Sequence, residues 1–150
     1  MKRARKPSAK PGATRKRGIA KPATLSVRVV EARVPYLEVR ISEPINEKSM
    51  VRQFERVRGE VLRRGAKQLL VDGRQSSVVL SVSDMHTLAK LVAGAFAGAL
   101  ECLALVLRPQ DIPAEKFFEP AVTHRGLPTL VTADVDEAVY WLTARIKPSR

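Results

Sequence analysis

Between Asp72 and Asp84 the chain gathers the residue types best suited to recognition chemistry: Asp72, Arg74, Ser76, Ser77, Ser81, Ser83 and Asp84. Serine hydroxyls beside carboxylates and a guanidinium can bind polar groups of a partner, accept a phosphate or cap a helix. The segment follows the apolar run Leu69-Leu70-Val71 and opens into a helical pattern. In open α/β sheets the crevice at the carboxyl ends of the strands is where ligands and partners engage. Asp72, Arg74, Ser83 and Asp84 are therefore the candidate partner-binding or regulatory residues. Taken singly, each serine also reads as a loop or cap residue.

Signatures of catalysis are missing. The chain has no Gly-x-x-x-x-Gly-Lys phosphate cradle, no dinucleotide Gly-x-Gly-x-x-Gly, no Gly-x-Ser-x-Gly elbow and no His-Glu-x-x-His zinc helix. His86 and His124 have no thiolate or second histidine nearby in sequence, so they read as surface or packing residues. No metal, cofactor or catalytic set is expected, and the protein reads as a non-enzyme. The single cysteine, Cys102, precedes Leu103-Ala104-Leu105-Val106-Leu107 and reads as a small buried hydrophobe. One cysteine per chain allows no internal disulfide, which suits a reducing compartment and points to the cytoplasm.

The formal net charge is +12, but nine positive charges fall in residues 1–24 with no acid among them, so the remainder carries only +3. Lys2, Arg3, Arg5, Lys6, Arg15, Lys16 and Arg17 are the core of that cluster, interrupted by Pro7, Pro11, Gly12, Gly18 and Pro22. Such a segment cannot bury enough apolar surface to offset its ordering entropy, so residues 1–24 are expected to be a disordered basic tail. It lacks the apolar stretch of a secretory signal and reads as a tail, not an address. Residues 25–150, within a chain of 150 that is 45% apolar, suffice for one domain.

The elements that must position the loop follow from periodicity. Leu25 to Glu31 and Tyr36 to Ile41 alternate with period two and predict a hairpin turning at Val34-Pro35. Met50, Phe54, Val57 and Val61 recur on one helical face, predicting a helix from about Glu47 to Arg64 with Asn46 as N-cap and Gly65 closing it. Arg52, Arg56 and Arg63 lie opposite and read as a solvated face. Lys67 to Val71 predicts a buried strand. Val78-Val79-Leu80 follows, and Ser81 or Ser83 can cap a second helix through Met85, Leu88, Val92 and Phe96. Leu91 to Leu107 is short for a membrane span and holds Glu101, Gly94 and Gly98, so it reads as a buried helix running into a buried strand. Pro113 begins a helical stretch through Phe117, Phe118, Ala121 and Val122; Leu127 to Val131 is a last strand, and Asp134 caps a final helix carrying Trp141 and Leu142.

The order ββαβαβαβα predicts an α/β domain: a small mixed, mostly parallel sheet flanked by helices. That order, the strand Leu69-Leu70-Val71-Asp72, the helix opening Val82-Ser83-Asp84-Met85, and the C-terminal Phe117-Phe118-Glu119, Arg125-Gly126-Leu127-Pro128 and Asp136-Glu137-Ala138-Val139-Tyr140-Trp141-Leu142 resemble the STAS domain fold in its SpoIIAA-like bacterial branch. The resemblance spans roughly Leu25 to Arg145. It implies a non-enzymatic regulatory module that binds a kinase-like or other protein partner, some members being switched by phosphorylation of a serine that Ser83 matches most nearly. The usual Asp-Ser-Ser/Thr-Gly stands here as Ser83-Asp84-Met85-His86.

Two other classes compete. The tail could bind nucleic-acid phosphates without reading sequence, since its cations have no interleaved aromatics to stack on bases, while the domain supplies dimerisation or partner contacts. Alternatively, Ala95, Phe96, Ala99, Phe117 and Phe118 could line a pocket for a small apolar ligand, although the same residues serve core packing.

Overall fold

The computed structural model describes residues 25–144. The basic tail at 1–24 lies outside the described residues, so its expected disorder is not addressed by them.

Alternation along the first two strands has the expected result. β1 (Leu25–Val30) and β2 (Tyr36–Ile41) pair antiparallel, with Val27 opposite Val39 and Arg28 opposite Glu38. β3 (Ile45–Asn46) and a turn lead into α1 (Met50–Arg64), which buries Met50, Phe54, Val57 and Val61. Asn46 is not the N-cap: the helix starts at Met50, where the apolar repeat begins, with Ser49 at the cap position. Asn46 Oδ1 accepts from the backbone N–H groups of Lys48 and Ser49, and Ser49 Oγ donates to Pro44 O, so these residues close a turn ahead of the helix. At the other end Gly65 takes φ 63° and its N–H returns to Val61 O, a left-handed closure suited to glycine.

β4 (Gln68–Asp72) is buried at every position, as expected for a central parallel strand covered on both faces. β5 (Val78–Val79) pairs with β3 in a separate two-stranded sheet, and α2 (Val82–Phe96) follows. β6 (Cys102–Val106) continues the main sheet. The helical stretch after it is broken into a 3-10 turn at Pro109–Asp111, α3 (Ile112–Glu115) and α4 (Phe118–Thr123). Pro120 explains the break: a continuous helix would need its missing N–H to reach Lys116 O, whereas in the first turn of α4 no such bond is required. β7 (Thr129–Thr132) and α5 (Val135–Ala144) complete the order.

The main sheet runs β1-β2-β4-β6-β7, antiparallel only between β1 and β2. Leu37, Val39, Leu69, Val71, Leu103 and Val131 face α1, α2 and α4 in the larger core. The opposite face carries Leu70, Cys102, Ala104 and Val106 against Ala138 and Leu142 of α5. α5 lies over β4, β6 and β7. On the same face of β1 and β2, Val30 and Tyr36 extend this cluster while Arg28, Glu38 and Arg40 bring charge. Among the described residues no helix is long and apolar enough to cross a membrane, and the Leu91 to Leu107 run divides into α2 and β6.

Candidate functional site

β4 delivers Asp72 to its carboxyl end, in register with Arg40 of β2 and Val106 of β6. Asp72 is only 2% exposed. A buried carboxylate needs donors, and Arg74 supplies them: Nε donates to Oδ1 at 3.0 Å, Nη2 to Oδ2 at 2.8 Å, and the Arg74 backbone N–H to Oδ1 at 3.1 Å. Arg40 Nε stands 3.6 Å from Oδ2 on the other side. Burial pushes the Asp72 carboxyl up, but the hydrogen bonds and charge of Arg74, helped by Arg40, outweigh it and hold the group below the usual carboxylate range.

The pair belongs to a longer ladder. Arg40 also reaches Glu38 at 3.3 Å, and Arg28 donates to Glu38 from β1. Arg28, Glu38, Arg40, Asp72 and Arg74 thus alternate in sign across three strands. Glu38 is buried between its two arginines, although alternation alone would place it in solvent.

After Asp72 the backbone presses onto β6. The Gly73 N–H donates to Val106 O at 2.7 Å, and a Cβ at Gly73 would stand 3.1 Å from Leu107 Cδ2, so a side chain there would displace a buried leucine. Ser76 is buried and its hydroxyl donates to Ile41 O at 2.7 Å, tying the loop to the end of β2. The Ile45 N–H reaches Ser77 O, and the β3–β5 pair fixes the rest. Ser76 is a structural residue of the loop.

Ser81, not Ser83, is the N-cap of α2. Its Oγ accepts from the Asp84 N–H at 3.0 Å and Asp84 Oδ2 accepts from the Ser81 N–H at 3.1 Å, a reciprocal capping box. Ser83 is left exposed in the first turn of the helix. Val79 and Val82 beside it are 71% and 62% exposed.

The four candidate residues therefore form two local pairs: Asp72 holds Arg74, while Asp84 with Ser81 holds the helix start that presents Ser83. Arg28, Glu38 and Arg40 were missed by motif reading, although their period-two spacing on paired strands could have flagged them. The tail cations Lys2, Arg3, Arg5, Lys6, Arg15, Lys16 and Arg17 lie outside the described residues. Cys102 is buried and donates to Gln68 Oε1. His86 packs edge-on against Phe117 at 4.8 Å between ring centroids. Among the described residues no group of three or more histidine, cysteine, aspartate or glutamate side chains is placed to hold a metal ion.

No protein-family model and no curated protein matches the sequence. Solved structures do. An uncharacterized protein of the DUF3478 family with a SpoIIAA-like fold, from Shewanella loihica PV-4, superposes with a TM-score of 0.52 at 12% identity, covering 79% of this chain and 93% of that one. An anti-sigma factor antagonist from Mycobacterium paratuberculosis gives a TM-score of 0.50 at 13% identity, covering 82% of this chain and 97% of that one. The chain has the STAS/SpoIIAA-like fold, as its order of elements, the strand and helix opening around Asp72 and Ser83, and its C-terminal motifs led one to expect.

Proposed function

We propose that the protein is a non-enzymatic, cytoplasmic regulatory module of STAS type that binds a protein partner through the loop after β4 and the start of α2. The observation that carries this reading is the exposure of Val79 and Val82 on either side of the Ser81 cap, next to exposed Ser83. Apolar side chains on a fixed loop lose water on contact with a partner, and the neighbouring polar groups set its register. Arg74 supplies a guanidinium already oriented by Asp72, so little side-chain entropy is lost when it meets an acidic group. Asp84 acts indirectly by holding the helix end, and Ser83 is the accessible hydroxyl for regulation. The fold shared with an anti-sigma factor antagonist supports a binding role.

Cross-linking of the full chain in cells, read by mass spectrometry, tests this reading. Cross-linked peptides of one protein should converge on residues 74–86. Cross-links confined to other surfaces, or turnover of small substrates by the purified chain, would contradict it.

The charge distribution favours a second, compatible reading, in which the tail binds nucleic-acid phosphates while the domain holds its partner or a second copy of itself. If all nine tail cations meet phosphate on duplex DNA, log K against log salt falls with a slope of roughly −8. A flat salt response removes that reading and leaves the first untouched.

A further inference from the structure

The sheet does not meet its helices everywhere. A cavity of ≈ 100 Å³ lies beneath α1 and α2, lined by apolar side chains that include Ile41, Phe54, Val71, Leu88 and Leu105. Gln53 and Glu115 are the two polar residues in that lining.

Gln53 is 3% exposed. Its Nε2 donates to Glu43 Oε1 at 2.7 Å, and Glu43 is also paired with Arg52. An ionised carboxylate only accepts, so chemistry fixes which end of the amide faces Glu43. Oε1 must point elsewhere. Among the described residues it is the one buried side-chain oxygen or nitrogen with no hydrogen-bond partner. A buried acceptor without a donor is destabilising, and native cores rarely keep one without a reason.

Glu115 is 5% exposed. Burial, then repulsion from Asp111, raises its carboxyl to about 7. Near neutral pH a large fraction of it is uncharged and carries an O–H, so the lining is apolar apart from a neutral acid and the Gln53 amide, whose oxygen lacks a donor.

We propose that this cavity binds a small neutral aliphatic molecule carrying a hydroxyl, whose O–H donates to Gln53 Oε1 while its chain lies against the apolar lining. An apolar cavity of about 150 Å³ takes one benzene, so ≈ 100 Å³ takes about four or five heavy atoms, a straight-chain alcohol of about three or four carbons. A fatty-acid anion of that length fits poorly, because its charge would enter an apolar lining beside Glu115. A lone water would find the minimum of about two polar partners, Gln53 and Glu115, and leave the rest of the apolar lining uncovered. Val78 and Leu80 of the partner-binding loop contribute to the lining, but ligand binding here is read without a partner and stands or falls independently of that loop's role.

Titration of the full chain with 1-butanol, followed by methyl NMR, tests the site. Saturable shifts should centre on Val71, Leu88 and Leu105, and butanoate at pH 8 should bind at least tenfold more weakly. Gln53→Leu, which keeps the volume and removes the acceptor, should weaken butanol at least fivefold. Leu88→Phe, which narrows the cavity with Gln53 intact, should abolish the shifts and remains decisive if the first variant fails to fold. The proposal is overturned if butanol gives no saturable shift, leaving water as the occupant. It is equally overturned if folded Gln53→Leu binds butanol as wild type does, if butanoate binds more tightly, or if Leu88→Phe leaves the shifts intact.

Discussion

Asp72 and Arg74 meet end to end: both carboxylate oxygens of a side chain buried at the tip of β4 accept from the guanidinium of a loop residue two positions on, at 3.0 and 2.8 Å. Two parallel bonds fix the plane of the guanidinium as well as its distance. The buried acid therefore works as a bracket for a cation at the loop surface.

Asp72→Asn should cost about 1–3 kcal/mol at pH 7, because it removes a charge that Arg74 and Arg40 share. The native carboxyl is held below its ordinary range, so the stability it contributes is present above the unfolded value near 4 and is lost as pH falls through the lower, folded value. Urea unfolding at pH 7 and again at pH 2 to 3 should show the gap between wild type and variant closing. A gap unchanged at low pH would mean that packing, not charge, holds the residue.

Glu115 has the opposite sign. Its folded carboxyl lies near 7 against 4.5 as the ordinary value, so the folded state binds the proton more tightly. Its own contribution to stability is fully present below pH 4.5 and is lost as pH rises to about 7, by at most about 3 kcal/mol. Glu115→Gln should flatten that decline. Denaturant midpoints between pH 5 and 8 read it, and identical slopes for both proteins would refute the assignment.

Ser81→Ala should cost about 1 kcal/mol by breaking the capping box, whereas Ser83→Ala should change stability by less than about 0.5 kcal/mol. Thermal melts of the two variants suffice. Equal losses would place the cap at Ser83.

α5 is held chiefly by Leu142, which is fully buried, and only secondarily by Trp141, which is half-buried at the edge of the same cluster. Leu142→Ala should cost about 2–5 kcal/mol and Trp141→Ala less, despite the larger ring. A greater loss from Trp141→Ala in urea unfolding would reverse that order.

Wherever one face of an element repeats, the sequence was legible. Leu37, Val39 and Ile41 announce β2, and Met50, Phe54, Val57 and Val61 announce α1, because period alone decides which side meets the core. Choices made by hydrogen bonds were less so. Ser81 and Ser83 are equivalent by residue type, and only the bonds to Asp84 separate them. The β3–β5 pair joins two strands of two residues each from distant parts of the chain, too short for any periodicity. Alternation sets Glu38 on the face opposite Leu37 and Val39, yet it is buried between flanking arginines; Gln53, three residues after Met50 and four before Val57, shares the buried face and bonds Glu43. Asp72 and Arg74 stood out by position at a strand end, but that the acid would hold the base, and leave the base to face solvent, required the fold.

The most direct test of the binding surface is the affinity of folded, full-length variants for the partner that cross-linking identifies, measured by calorimetry. Arg74→Ala, Val82→Asp and Ser83→Glu should each weaken binding at least tenfold, while Arg56→Ala on α1 changes it less than twofold. If the three loop variants bind like wild type, or if Arg56→Ala alone abolishes binding, the loop is not the contact surface and the basic face of α1 is.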